Sequence, residues 1–138
     1  MNQTDRSVQG VRILQIAMLL GVVVFAGVIL YLTLSGTLPE SDVGPVLPWL
    51  GVGFAVLSVP LAVLARVVGQ KSAKQNPNMA AAERAARAAI VPAAILESAM
   101  LFNLVVWMIS GSQVPNAVAA VLPFAVALAF ALQSGHDG

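Results

Sequence analysis

Four long apolar stretches constrain this chain more than any other feature of its sequence. A helix that crosses the ~30 Å hydrocarbon core of a bilayer needs about 20 mainly apolar residues. Four stretches meet this requirement, and we predict spans over residues 13–34, 46–65, 88–109 and 114–132. Only 9% of the 138 residues are charged, against about 25% in an ordinary soluble domain. The sequence therefore predicts an all-α, polytopic membrane protein, with residues 1–138 forming a single bundle of four transmembrane helices.

The positions of the basic residues predict which way the helices run. Loops on the cytoplasmic side of membrane proteins are enriched in Lys and Arg. All seven basic residues precede the first span or lie in or at the edge of the connection 66–87: Arg6, Arg12, Arg66, Lys71, Lys74, Arg84 and Arg87. Tyr31, Trp49 and Trp107 fall near the opposite ends of their spans, where aromatic rings favour the headgroup layer. We therefore expect a multi-pass protein of the cell (inner or plasma) membrane, with both termini and the loop 66–87 in the cytoplasm.

The connection 66–87 also contains signals for local helix structure. Asn76 followed by Pro77 is typical of a helix start, with Asn as the N-cap and Pro at the first helical position. We therefore expect the third helix to begin near Pro77 and to project beyond the membrane. Glu83 precedes Arg87 by four residues, which is the favourable order for an ion pair along a helix.

Glu97 is the only ionisable residue deep within a predicted span, at the tenth of the 22 positions of 88–109. Insertion scales assign a charged side chain at the centre of a span a cost of about 2.5–3.5 kcal/mol. A buried carboxyl is therefore expected to be neutral unless a cation or an aqueous path reaches it. An acid inside the membrane is a candidate functional residue by default, and we take Glu97 as the candidate ion-binding residue.

Two prolines lie near the depth of Glu97 on other helices. A proline within a helix frees the carbonyl four residues before it, so Pro60 frees that of Val56 and Pro123 that of Ala119. A protonated Glu97 can donate to such a carbonyl, and an ionised one can share a cation with several. A glycine at similar depth on the first helix is expected to allow close approach, and Ser98 follows Glu97 directly. The supporting residues of the candidate site are thus Gly21, Val56, Pro60, Ser98, Ala119 and Pro123.

The interpretation of Glu97 stays open between function and structure. It is either a proton or cation site, or a structural residue in an accessory or assembly subunit of a membrane complex, hydrogen-bonded between helices as Ser98 and Asn103 would be. A transporter for a small hydrophobic substrate is a third class, and it would require dimerisation. We expect the lipid bilayer as the chain's environment, and a homo-oligomer or a larger membrane complex as its state.

The sequence lacks the residues that several classes of function require. The sequence contains no Cys and a single His, His136, and it shows no nucleophile–base pair, phosphate-binding loop or set of metal ligands. We therefore expect no enzymatic activity, no cofactor and no metal site. The charges are scattered rather than gathered on one face, so we expect no nucleic-acid partner.

Part of the sequence resembles a known family. Residues 73–78 (AKQNPN), 95–99 (ILESA) and 101–106 (LFNLVV) resemble the second half of the rotor-ring subunit c, or proteolipid, of F-type ATP synthases. The first segment resembles the family's basic-Gln-Pro loop with one inserted Asn, and Glu97 matches its ion-binding carboxyl. The resemblance covers about residues 73–109 and implies a proteolipid-like protein in which Glu97 binds a proton or a sodium ion. Four spans would resemble the double-hairpin proteolipids of V-type enzymes.

Overall fold

The computed structural model is a bundle of four helices. It describes residues 3–38, 41–76, 78, 80–111 and 114–133, and this part of the chain contains no strand. The helices are α1 (Gln3–Leu34), α2 (Val46–Gln75), α3 (Ala81–Ser110) and α4 (Asn116–Gln133). Each is long and apolar enough to cross a membrane. The predicted all-α fold with four spans is confirmed.

Contacts at the two ends of the bundle show that consecutive helices run antiparallel. At one end, Gln15 of α1 bonds to Ala89 of α3, and Gly69 of α2 lies against the backbone of Arg87 in α3. At the other end, Asn103 of α3 bonds to Gly51 of α2. We call the first end the basic end, because all seven Lys and Arg residues lie on the helix segments nearest to it. The other is the non-basic end.

The central helix of the bundle is α3. In its most apolar window 39% of the residues are buried, against 17–22% in the other three helices. Large apolar side chains such as Leu20, Leu57 and Val118 are more than 60% exposed on the outer surface. An outer surface of this kind suits hydrocarbon, since lipid tails are as apolar as these side chains.

Small residues allow α2 and α4 to pack closely. The buried residues of α2 recur every three or four positions and are all small: Gly51, Ala55, Ser58 and Ala62. Those of α4 recur in the same way: Asn116, Ala120, Pro123, Ala127 and Ala131. In membranes, where no hydrophobic force drives helices together, small residues at an interface let backbones approach and gain van der Waals contact.

The connection between α2 and α3 is shorter than the sequence predicts. The helix α2 continues to Gln75, and α3 begins at Ala81. The predicted helix start at Asn76 is therefore wrong: Asn76 is the C-cap of α2, and Pro77 lies outside the described residues. The reason is that residues 66–75 contain no proline and several good helix formers, so α2 has no signal to end where its apolar stretch ends.

The three aromatic residues near the non-basic end differ in their exposure. Tyr31 and Trp49 are 70% and 66% exposed, as expected for rings at the headgroup layer. Trp107 is only 6% exposed, so its ring packs inside the bundle rather than on the outer surface. It follows Met100 and Asn103 at helical spacing, and all three lie on the buried face of α3. The helix ends at Ser110, and the C-cap residue Gly111 follows with a positive φ of 65°, which suits a residue without a Cβ.

Candidate functional site

Glu97 lies on the flank of α3, between the buried and the exposed faces of the helix, and is half-buried. No hydrogen bond or ion pair joins its carboxylate to another side chain or backbone group of the described residues. The expectation of a buried carboxyl is therefore wrong. The inward position next to it is occupied by Leu96, which is fully buried. Since adjacent residues of a helix differ by about 100° in direction, Glu97 points away from the face that Leu96 buries.

The supporting residues predicted from the sequence do not form one enclosed site. Gly21, Val56, Pro60 and Ser98 are exposed, Ala119 is half-buried, and only Pro123 is fully buried. The close approach expected at the glycine is absent, because a Cβ built there would meet no atom within 4 Å among the described residues. The serine hydroxyl donates to the Ala94 carbonyl oxygen of its own helix at 2.7 Å.

A third proline, which the sequence reasoning missed, lies within α3. Pro92 is fully buried, and it leaves the Ala88 carbonyl without its helical donor. The buried side chain of Gln15 in α1 donates from Nε2 to the next carbonyl, that of Ala89, at 3.2 Å. Its Oε1 is buried without a donor in the described part of the chain. This bond joins α1 to α3 toward the basic end.

The buried polar residues near the non-basic end form a network that joins three helices. Asn103 of α3 donates from Nδ2 to the carbonyl oxygens of Gly51, at 2.8 Å, and of Ala99, at 2.9 Å. Asn116 of α4 donates from Nδ2 to the Asn103 Oδ1 at 2.9 Å and to the Pro48 carbonyl oxygen at 3.1 Å. Both asparagine side chains are fully buried. We call this set the Asn103–Asn116 network; it fixes α2, α3 and the start of α4 against one another.

The backbone of α2 makes room for this network at Gly51. A Cβ built on Gly51 would lie 2.5 Å from Nδ2 of Asn116 and 2.7 Å from Oδ1 of Asn103. Such distances are far inside van der Waals contact, so only glycine fits without displacing the two amides. The sequence indicated Asn103 as an interhelical hydrogen-bonding residue but did not point to Asn116 as its partner. The signal that could have linked them is a glycine among the small residues that recur along α2.

Arg66 of α2 does not pair with Glu97. Its Nη1 donates to the Gln133 Oε1 at 3.1 Å, and its guanidinium carbon lies 4.4 Å from the centre of the Phe130 ring. A guanidinium over an aromatic face is a favourable arrangement. These contacts tie the basic end of α2 to the end of α4.

An apolar cleft lies between α1, α3 and α4. It has a volume of about 240 Å³, and its walls include Val22 and Ala26 of α1, Leu104 and Trp107 of α3, and Phe124 of α4. We call it the α1–α3–α4 cleft. The indole Nε1 of Trp107 is buried and has no acceptor within the described part of the chain.

Neither a metal centre nor a related protein identifies the chemistry of these sites. Among the described residues, no three His, Asp or Glu side chains come together in a way that could hold a metal ion. Comparison of the chain with protein-family models, with curated proteins and with solved structures finds no match. The chain is a small four-helix membrane protein.

Proposed function

We propose that this protein is a subunit of a larger membrane assembly, and that Glu97 contacts a neighbouring chain. The observation that carries the proposal is the position of the carboxyl: half-exposed on a membrane-spanning helix, with no hydrogen bond or ion pair from the described residues. Transfer of a polar group from water to an apolar medium without a compensating hydrogen bond costs roughly 2–7 kcal/mol of free energy. A donor or a cation from a neighbouring chain removes that cost.

Site-specific photo-crosslinking in native membranes tests this proposal. A photoreactive residue at Leu101, one turn along α3 from Glu97 and also half-buried, reports on the same flank. We expect a protein adduct at this position and a much weaker one from Val91, which is 49% exposed. An adduct of twice the chain mass identifies a second copy, and any other mass identifies a different subunit. If Leu101 yields only lipid adducts, the proposal is wrong.

Substitution of Glu97 then shows whether the acid holds the contact. Glu97→Leu removes both charge and hydrogen bonding, so we expect loss of most of the protein adduct. Ser98→Ala is the matched control, because it also removes a polar group from α3, but one already satisfied by Ala94 within the same helix. We expect the adduct to persist in this control.

A second candidate function, a proton or cation site at Glu97, is favoured by the accessibility of the same carboxyl. A half-exposed acid can be reached from outside the chain, whereas an enclosed one cannot without a path. The resemblance of residues 73–109 to rotor-ring proteolipids is its other support. In this candidate the neighbouring chain supplies further ligands to the ion.

A hydrophobic carbodiimide separates the two candidates. An ion site predicts selective modification of Glu97, with protection by sodium ions or at high pH, and a loss of proton or sodium flux in liposomes for Glu97→Gln. A purely structural contact predicts no protection by sodium and no change in flux. In that case the ion site is abandoned and the subunit contact remains.

We propose further that the basic end faces the cytoplasm, because all seven Lys and Arg residues lie toward it. The chain has no Cys, so single-cysteine variants can be labelled without background. A membrane-impermeant maleimide added to intact cells should label Ser41→Cys, in the connection between α1 and α2, and should label Lys74→Cys only after lysis. Both residues are exposed. The reverse pattern would show the opposite orientation.

A further inference from the structure

We propose that the basic end of the bundle binds the headgroups of anionic phospholipids through four basic side chains that lie at one depth. We call this set the basic belt; its members are Arg12 of α1, Lys71 of α2, and Arg84 and Arg87 of α3. The belt is distinct from Glu97, and its function depends neither on the assembly proposed above nor on which side of the membrane the basic end faces.

The close contact between α2 and α3 shows that three members of the belt lie at nearly the same depth. A Cβ built on Gly69 would lie 2.9 Å from the carbonyl oxygen of Arg87, so these two residues are level with each other. A helix rises about 1.5 Å per residue. Lys71 therefore lies about 3 Å further out along α2, and Arg84 lies about 4.5 Å further out along α3.

The contact between α1 and α3 places the fourth member at the same depth. Gln15 of α1 bonds to the carbonyl oxygen of Ala89, which lies two residues, or about 3 Å, deeper than Arg87. Arg12 precedes Gln15 by three residues, or about 4.5 Å, and so lies about 1.5 Å further out than Arg87. The four members of the belt, from three helices, thus lie within about 4.5 Å of depth, which is less than one helical turn.

The charge of the belt is accessible and mostly unneutralised. Arg12, Lys71 and Arg87 are exposed, and Arg84 is half-buried. Among the described residues, the belt makes one ion pair, between Arg87 and Glu83, whose side chains are both more than half exposed. Four positive charges therefore face the surroundings against one negative charge, and an anionic partner complements this surface.

The surface next to the belt identifies that partner as a lipid. Ile13, Val68 and Val91 lie one to four residues deeper than the belt member on their own helix, and they are 49–60% exposed. A phospholipid satisfies both surfaces, because its acyl chains cover these apolar side chains while its headgroup meets the basic ones. A soluble polyanion has no part that covers the apolar side chains.

The depth of the belt also fits a headgroup layer. The headgroup layer on each side of a bilayer is about 5–8 Å thick, which accommodates the depth of the belt. Basic clusters directly beyond membrane-spanning helices attract anionic lipids, and each basic residue near such a surface strengthens binding about fivefold.

Lipid competition on the purified protein tests the proposal. The protein is incubated in neutral detergent with equal amounts of phosphatidylglycerol and phosphatidylcholine that carry the same acyl chains. The lipids retained after gel filtration are then quantified by mass spectrometry. We expect a preference for phosphatidylglycerol of about tenfold or more, since a headgroup that meets two belt residues gains about fivefold from each. Equal retention of the two lipids overturns the proposal.

Two double variants separate the belt from the net charge of the chain. Arg12→Gln with Lys71→Gln should lower the preference about fivefold or more. Arg6→Gln with Lys74→Gln is the matched control, because it also removes one exposed Arg from α1 and one exposed Lys from α2. Lys74 lies about 4.5 Å further out than Lys71. Arg6 lies about 9 Å further out than Arg12. We expect the control to keep most of the preference, and an equal loss in the two double variants overturns the proposal.

The salt dependence of the preference provides a second measurement that needs no substitution. Raising the salt concentration from about 0.05 M to about 0.5 M shortens the distance over which charges interact. The preference of the parent protein for phosphatidylglycerol should therefore fall severalfold. A preference that does not change with salt would show that the basic belt does not select the lipid.

Discussion

Replacement of Gly51 by Ala is a direct test of the Asn103–Asn116 network. The added Cβ would lie 2.5 Å from one asparagine side chain and 2.7 Å from the other. Both amides are fully buried and held from more than one side, so neither can turn away without breaking hydrogen bonds. The methyl group therefore has to displace either the amides or the whole of α2.

The expected loss of stability in Gly51→Ala has three contributions. The network has three interhelical hydrogen bonds, each worth about 0.6 kcal/mol on average in membrane proteins, which gives about 2 kcal/mol if all are lost. Insertion of a methyl group into a packed interior costs about 1–3 kcal/mol. The gain in helix propensity from Gly to Ala offsets about 0.5–1 kcal/mol. We expect Gly51→Ala to lower the free energy of unfolding by about 2–4 kcal/mol.

The assay is equilibrium unfolding in mixed micelles, with Gly53→Ala as the matched control. Gly53 lies on the same helix, is exposed, and has no atom within 4 Å of a built Cβ, so the control should be neutral or slightly stabilising. Asn103 makes one of the two close contacts, and therefore Asn103→Ala in the Gly51→Ala background should cost less than the sum of the two single variants. If Gly51→Ala and Gly53→Ala have the same stability, the network is not packed as described.

Three further predictions use the same unfolding assay. Gly69→Ala should lower stability by about 1–3 kcal/mol, because its Cβ would lie 2.9 Å from the Arg87 carbonyl oxygen; unchanged stability would mean that α2 and α3 are further apart there. Gln15→Leu loses the hydrogen bond to Ala89, but it also removes a buried acceptor that has no donor in the described part of the chain. We therefore expect the free energy of unfolding to change by less than about 1 kcal/mol. A loss above about 2 kcal/mol would contradict this expectation. The predicted ion pair of Glu83 with Arg87 is confirmed at 3.0 Å, and both side chains are more than half exposed. Glu83→Ala should therefore lower the free energy of unfolding by no more than about 0.5 kcal/mol. A larger loss that depends on salt concentration would contradict this expectation.

The number of helices could be predicted from the sequence, whereas the basic ends of three of them could not. The four spans follow from apolar length, since each exceeds what the hydrocarbon core requires. At the basic end this signal stops at the membrane, but the helices do not: α2 continues to Gln75, and α3 begins at Ala81. Outside the bilayer, helix propensity and tertiary packing decide the boundary. Close contact between Gly69 and the start of α3 holds the projecting turns of the two helices together.

The candidate site could be predicted only as a set of polar residues. Depth along a span follows from counting, but the direction in which a side chain points depends on how the helices rotate about their axes. The apolar spans give little information on rotation, because lipid-facing and buried positions are equally apolar. Glu97 and Asn103 lie in the same span, and counting gives no reason to place one on the flank and the other in the interior. The small residues of α2 indicate which of its faces is buried, and Gly51 leads to the network from that face.

The chemistry of donors and acceptors explains why Asn103 finds partners inside the bundle whereas Glu97 does not. Every helix carbonyl has a second lone pair, so a side chain that donates can find an acceptor in its own bundle. Asn103, Gln15 and Ser58 all donate to backbone carbonyls in this way. An ionised carboxylate can only accept, and the N–H groups within a helix are already used by its own carbonyls. Glu97 therefore has to be protonated, bind a cation, or receive a donor from a neighbouring chain, and its place on the flank of α3 leaves it open to all three. Glu97→Gln supplies donors that helix carbonyls can accept, so it should not destabilise the isolated chain even where it weakens the contact with a neighbour.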